Sequence, residues 1–266
     1  MFDSFNRNIN YLRISVTDRC NLRCSYCMPE CGVPIMSHDK ILTFEEIVDV
    51  VKYGAANGIT KVRITGGEPL VRKGIVQLVG QIAAITEIKE IGMTTNGILL
   101  NWFAKDLAAA GLNRVNISLD TIDPDRFFEI TRLGNIEDVF NGIEAAKVAG
   151  LFPVKINCVV KKNSQEPDAV GVRAFCEQHG LQVRFIKEMN LETGQFSVVE
   201  GGDGGHCATC NRIRLTANGD LKPCLFTDLS YNVREMGVEK AYLAAIANKP
   251  SCGSINQLNQ FSNIGG

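Results

Sequence analysis

The sequence predicts an α/β fold, a partial six-stranded (β/α)6 barrel with a small C-terminal domain that carries its own cysteines. Three observations predict it. Short apolar strands alternate with helical patterns across residues 12–189, as parallel strands joined by right-handed crossovers do. Strand after strand keeps one polar face, although a sheet covered by helices on both sides reads as nearly continuous Val, Ile and Leu. The pattern then breaks in a glycine-rich stretch, 191–206, and a compact segment follows. The expected division is 1–190 for the partial barrel, 191–206 for a flexible connection and 207–266 for the C-terminal segment.

The strands are expected at 12–17, 61–66, 90–96, 114–120, 154–160 and 182–189. In the first, Leu12, Ile14 and Val16 share one face and Arg13, Ser15 and Thr17 the other. Between the first two strands, Thr43 and Glu46 form a capping box. The helix it starts buries Phe44, Ile47, Val48, Val51 and Ala55 and stops near Gly58. In the second strand Lys61, Arg63 and Thr65 oppose Val62 and Ile64; in the fourth Asn116, Ser118 and Asp120 oppose Val115, Ile117 and Leu119; Lys155 and Asn157 repeat the pattern in the fifth. Such faces describe a wet, cation-lined lumen around an anionic ligand; the alternatives are solvent-exposed edge faces or a doubly wound open sheet. Past residue 206, Asn218-Gly219 between apolar alternations is a hairpin signal. A two-residue turn there sets Ile213 opposite Cys224 and turns Arg212 and Arg214 to one face.

With 45% hydrophobic and 21% charged residues and a net charge of −1, the composition is that of an ordinary globular protein. It lacks the basic excess of a nucleic-acid binder. No run approaches ~18 consecutive apolar residues, which excludes a membrane span. The opening residues lack the apolar core and cleavage site of a signal peptide. The reading is therefore cytoplasmic, and ten cysteines in a reducing compartment point to metal or redox chemistry rather than structural disulfides.

Two cysteine constellations stand out. Cys20-x-x-x-Cys24-x-x-Cys27 follows the first strand; three thiolates on one loop can hold three irons of a [4Fe–4S] cluster and leave the fourth open. Zinc is the alternative, although structural zinc closes four ligands. Cys207-x-x-Cys210 followed by Cys224 poses the same choice, with His206 available to complete a zinc ribbon. Cys31 and Cys252 belong to neither motif, and Cys158 and Cys176 suit small buried hydrophobes.

The first loop, with Tyr26 inside it, resembles the signature of the radical S-adenosylmethionine (SAM) superfamily. Gly66-Gly67-Glu68-Pro69 resembles that family's GGEP motif, and Thr94-Thr95-Asn96-Gly97 and Ser118 fall at later strand ends, where barrels carry their chemistry. The resemblance implies an enzyme that cleaves SAM reductively to a 5′-deoxyadenosyl radical at Cys20, Cys24 and Cys27. Tyr26, Gly66, Gly67, Glu68, Thr94, Ser118 and Met189 are the implied cofactor contacts.

Cys207-x-x-Cys210-Asn-Arg-Ile-Arg, the returning Lys-Pro-Cys224-Leu and the terminal Gly265-Gly266 resemble, more narrowly, the molybdenum cofactor biosynthesis protein A family, the GTP 3′,8-cyclases. That resemblance covers residues 11–189 and 207–266. It implies a second [4Fe–4S] cluster on Cys207, Cys210 and Cys224, whose open iron meets guanine. It also implies a triphosphate held by Arg13, Lys61, Arg63, Lys155, Arg184, Arg212 and Arg214, and a diglycine tail reaching the active site. The implied reaction turns GTP into 3′,8-cyclo-7,8-dihydro-GTP, with an electron donor and a downstream pterin-forming enzyme as partners; a homodimer is compatible with it. Two departures bear on the substrate. Only residues 190–206 separate Met189 from Cys207, where the family has several tens more, and Lys187-Glu188 replaces its Glu-Phe. The rival readings are a radical SAM enzyme with an auxiliary cluster acting on a peptide or another nucleotide, and a non-enzymatic cluster carrier.

Overall fold

A computed structural model describes residues 1–258 and Ile264. All six expected strands form, each shorter than its pattern: β1 (Tyr11–Ser15), β2 (Lys61–Thr65), β3 (Glu90–Thr95), β4 (Arg114–Ser118), β5 (Lys155–Val160) and β6 (Gln182–Lys187). They pair in sequence order, all parallel. The crossovers carry α1 (Phe44–Ala56), α2 (Ile75–Ala83), α3 (Leu100–Ala109), α4 (Pro124–Thr131), α5 (Ile136–Val148) and α6 (Pro167–His179). Helix α1 begins as its sequence dictates: Glu46 N donates to Thr43 Oγ1 and Thr43 N to the Glu46 carboxylate, and Ile47, Val48, Val51 and Ala55 are buried.

The sheet continues past residue 190. After a short 3-10 turn at Cys207–Thr209, β7 (Arg212–Leu215) lies parallel beside β1. Strands β8 (Asp220–Lys222) and β9 (Tyr231–Asn232) extend it antiparallel, giving the order β6-β5-β4-β3-β2-β1-β7-β8-β9. Helices α7 (Val233–Met236) and α8 (Val238–Ala247) follow. The inward-facing Arg184 of β6 and Arg212 of β7 sit at opposite ends of the parallel run yet line one cavity; the sheet therefore curls into a partial barrel. One apolar cluster spans both sides of residue 190, from Leu12, Ile14, Val62 and Ile64 to Ile213, Leu221 and Tyr242.

Two sequence expectations need correction. The hairpin register is shifted by one: Arg214 pairs with Lys222 and Leu215 with Leu221, which removes Ile213 from its expected place opposite Cys224. The turn is longer because Thr216 Oγ1 donates to Asn218 Oδ1 and accepts from Asp220 N, and Gly219 adopts φ 95°, the left-handed position of a three-residue loop. The stretch after Met189 is held to the barrel edge: Phe185 and Glu200 exchange backbone hydrogen bonds, and Asn190 and Gln195 do the same. Stacked Phe196 and Phe226 and buried Leu191, Leu225 and Ile264 form a small second cluster there. Gly265 and Gly266, the expected tail, lie outside the described residues.

A candidate active site between two cysteine triads

The ends of the parallel strands open into three adjoining lobes. The first holds Cys20, Cys24, Cys27, Tyr26, Gly66, Gly67, Thr94, Ser118 and Met189. Its cysteine loop is fixed by backbone bonds from Cys27 N and Met28 N to Cys24 O, and by Arg23 N and Ser25 N donating to the end of α4. The glycines explain themselves sterically. Gly67 N donates to Thr17 O and Glu68 N to Arg19 O, drawing the two loops so close that a Cβ on Gly67 would lie 2.3 Å from Arg19 O, and one on Gly66 2.8 Å from Thr17 O. Glu68 sits behind this wall. Its carboxylate accepts from Leu70 N, Thr95 Oγ1 and Asn96 N, tying β2 to β3, and burial pushes its pKa up to about 7 against those three bonds.

Tyr26 donates to Asp120 Oδ2 at 2.8 Å, while Val159 N donates to the other oxygen. Burial raises Asp120 to about 6, with the two hydrogen bonds opposing it. Asn96 Nδ2 reaches Asn21 at 2.8 Å and lies 3.9 Å from Cys20 Sγ. The three thiols are half-buried, and burial raises Cys24 to about 12 and Cys27 to about 11.

The middle lobe is cationic. Parallel register lines up Arg214, Arg13, Arg63, Gly92 and Arg114 across five neighbouring strands. Gly92 leaves room in that row, since a Cβ there would come 3.2 Å from an Arg63 nitrogen. Lys61, Arg184, Arg212, Tyr11, Asn116 and Asn157 line the same space, and Lys155 neighbours Asn116 and Arg184's strand in register. Burial, and then mutual repulsion with Arg63 and Arg114, lowers the Arg184 pKa; burial and the charges of Arg184, Arg114 and Arg63 lower Lys155. Burial would raise Tyr11, but the charges of Arg63 and Arg13 and the Arg63 hydrogen bond outweigh it. Glu90 pairs with Lys61, at 2.9 Å, and with Arg114, and the Asp203 carboxylate opposes the fall at Arg184 and Lys155. Among the described residues Arg184 Nε and Asn157 Oδ1 are buried without a hydrogen-bond partner. A lobe in which basic side chains outnumber carboxylates, with the Arg184 Nε–H open, is a site for a multiply charged anion.

The third lobe holds Cys207, Cys210, Cys224, Arg13, Arg212, Arg214, Met189 and Lys249. Cys252 Sγ lies 3.1 Å from Cys207 Sγ. Its electrostatics oppose those of the first lobe: burial would raise Cys210, but the charge of Lys249, a backbone N–H from Arg212 and the charges of Arg212 and Arg214 bring it below the ordinary value. Burial lowers Arg214 to about 10, and nearby Cys224 and Cys210 oppose that fall.

Family models match both halves of the chain: "Radical SAM superfamily" over residues 14–173 and "Molybdenum Cofactor Synthesis C" over 177–250. The chain is 44% identical to the GTP 3′,8-cyclase of Thermodesulfovibrio yellowstonii, over 89% of this chain and 88% of that one. The chain belongs to the GTP 3′,8-cyclase family of the radical SAM superfamily.

The relatives of Heliobacterium modesticaldum (42% identical, 94% of this chain and 91% of that one) and Pelotomaculum thermopropionicum (39%, all of both chains) carry the same name. The last alignment runs over 325 positions against 266 residues here, so family members hold residues this chain lacks. Among solved structures, Streptococcus suis SuiB bound to precursor peptide SuiA matches with TM-score 0.66 at 18% identity, over 92% of this chain and 66% of that one. Native anSMEcpe with bound AdoMet matches with TM-score 0.62 at 16%, over 90% of this chain and 81% of that one. At these identities the likeness speaks to the fold: both support the radical SAM barrel.

Both triads fit the clusters that the family implies. Each offers three thiols lining one lobe, and thiolates are the usual ligands of such clusters. The alternation placed Arg13, Lys61 and Arg63 correctly on the lumen face and the buried strand cations exclude the exposed-edge reading, since Arg63 is 4% and Arg214 8% exposed. Sequence reasoning missed Tyr11 and Arg114 in the middle lobe and Asp120 behind Tyr26. Arg114 shares the parity of Asn116 and Ser118, and that signal could have found it. Lys249 and Arg7, which surround the third lobe, lie outside any strand pattern.

Proposed function

We propose that this chain is a GTP 3′,8-cyclase that converts GTP into 3′,8-cyclo-7,8-dihydro-GTP for molybdenum cofactor biosynthesis. The observation that carries the reading is a cationic lobe that shares lining residues with the lobes of both cysteine triads. A [4Fe–4S] cluster on Cys20, Cys24 and Cys27, with SAM, supplies the hydrogen-abstracting radical when bound.

The residues of this chain then have distinct tasks. Gly66 and Gly67 present close-lying backbone for the SAM amino group, and Glu68 fixes that loop from behind. Thr94, Ser118 and Met189 line the space for the adenosyl group, and the Tyr26–Asp120 pair holds the cysteine loop. Arg13, Lys61, Arg63, Lys155, Arg184, Arg212 and Arg214 hold the triphosphate, and Arg forks suit its paired oxygens. Arg114, Asn116 and Tyr11 join them. Cys207, Cys210 and Cys224 hold the second cluster, and Arg13 and Arg212 line both the phosphate and cluster lobes, fixing the base relative to the triphosphate. Met189 and Ile186, common to adjoining lobes, shield the reacting ribose from water.

All seven implied cations lie outside the short 190–206 connection, four residues of which, Val199, Gly202, Asp203 and Gly204, line the lobe. The protein works in the cytoplasm, receives electrons from a donor and passes its product to a pterin-forming enzyme. The test is an anaerobic reaction of reconstituted protein with SAM, reductant and GTP, read by mass spectrometry. 5′-Deoxyadenosine with a cyclised GTP isomer is the expected result; 5′-deoxyadenosine with GTP unconsumed would overturn the substrate.

A further inference from the structure

Two buried cations surround the third lobe and belong to neither the strand alternation nor the cysteine motifs. Lys249, 4% exposed, lies just past the end of α8. Its Nζ donates to Arg212 O at 2.7 Å and Pro223 O at 2.5 Å. These carbonyls stand beside Cys210 and Cys224, so one ammonium group joins the outgoing arm of the hairpin to the returning one. Arg7, 7% exposed, does the same for the remaining arm. Its Nη1 donates to Cys207 O at 2.8 Å and Ser251 O at 3.0 Å, and its Nη2 to Pro250 O at 2.6 Å. Asp3 holds Arg7 through Nε at 2.6 Å, which ties the N-terminal segment to the same place.

The two cations differ in their charge partners. Arg7 is neutralised by Asp3. Lys249 faces the lobe itself, and the anionic groups that act on it are Cys210 and Cys224. Burying an ammonium group is costly unless opposite charge compensates it, and a thiolate-ligated cluster brings such charge. We propose that Lys249 is a positioning residue of the second cluster: it joins the arms that carry Cys210 and Cys224 and sets a buried positive charge against the cluster's thiolates, while Arg7 holds the Cys207 arm. This rests on the reading of Cys207, Cys210 and Cys224 as cluster ligands.

A buried positive charge favours the more negative, reduced state of a cluster. The experiment uses full-length protein with Cys20, Cys24 and Cys27 all changed to Ser, reconstituted anaerobically so that only the second cluster is seen. Iron content, the electron paramagnetic resonance signal of the reduced form and the reduction midpoint are measured for this parent and for added Lys249→Met, Lys249→Arg and Arg7→Met. Lys249→Met is expected to move the midpoint to more negative values or to lose iron, with Lys249→Arg restoring both. Arg7→Met is expected to lower iron content, with the midpoint of the iron retained close to the parent's. An unchanged midpoint and iron content in Lys249→Met overturns the proposal, as does equal loss in the Met and Arg variants, since charge would then not matter. A parent that takes up no iron overturns the cluster reading along with it.

Discussion

A Cβ on Gly67 would sit 2.3 Å from the carbonyl oxygen of Arg19, and backbone cannot give way as the end of a side chain can. Gly67→Ala is therefore expected to push the β2 loop off the cysteine loop and abolish SAM binding, measured by calorimetry on reconstituted protein. The second cluster should survive in that variant, as seen in its iron content. In the middle lobe, Arg184 carries a buried Nε without a protein partner and is held below its usual pKa by burial and neighbouring cations. A hydrogen bond to a charged group is worth about 1.5–3 kcal/mol, so Arg184→Ala should raise the Kd for GTP about 10- to 100-fold. SAM affinity should stay unchanged; a loss of SAM binding instead would mean that Arg184 serves the fold rather than the anion.

Elements are joined at this site by side chains as much as by sheet bonds. Glu68 links the end of β2 to the end of β3 through Leu70 N, Thr95 Oγ1 and Asn96 N. All three partners are donors, so Gln at this position would turn an N–H group towards one of them and leave a buried donor unmet. Such a group costs about 1–3 kcal/mol, which gives the expected loss of stability for Glu68→Gln. The folded-state pKa of Glu68, about 7, lies above its ordinary 4.5. The native state thus holds the proton more tightly, and the stability from this group is full below pH 4.5 and lost as pH rises to about 7. The glutamine variant has no such loss. Its deficit relative to the parent should therefore shrink between these pH values in urea unfolding of the cluster-free protein; a constant deficit would show that Glu68 keeps an ordinary pKa.

At the scale of the molecule, β7 beside β1 and one apolar cluster spanning both sides of residue 190 bind the C-terminal segment into the barrel. Tyr242 of α8 is fully buried and donates to Val50 O on α1, close enough to Gly54 that a Cβ there would lie 2.4 Å from the Tyr242 hydroxyl. Removing so large a buried ring costs about 3–5 kcal/mol. Tyr242→Ala should lower the melting point of the whole chain as one cooperative transition in calorimetry. A separate low-temperature peak, leaving the main one unmoved, would mean that the C-terminal segment unfolds by itself.

Much of this was legible in the residues. Period-two alternation reports which side chains share a strand face, so it gave the six strands and put Arg13, Lys61 and Arg63 in the lumen. The capping box at Thr43 and Glu46 and the glycines of Gly66-Gly67 act over a few residues, and the sequence carries such local chemistry directly. Both cysteine triads showed in their spacing. Tertiary structure alone decided what depends on residues distant in sequence: that β7 adds to the barrel beside β1, that Arg214 falls into row with Arg13 and Arg63, and that the side chains of Thr216, Asn218 and Asp220 lengthen the turn and shift the hairpin register. It also decided that Glu68 lies behind the cavity wall and that Lys249 and Arg7, isolated in the sequence, close around the second triad. Alternation fixes a side chain's face because it is set by neighbouring bonds, whereas register and neighbourhood across hundreds of residues are set by packing of the whole chain.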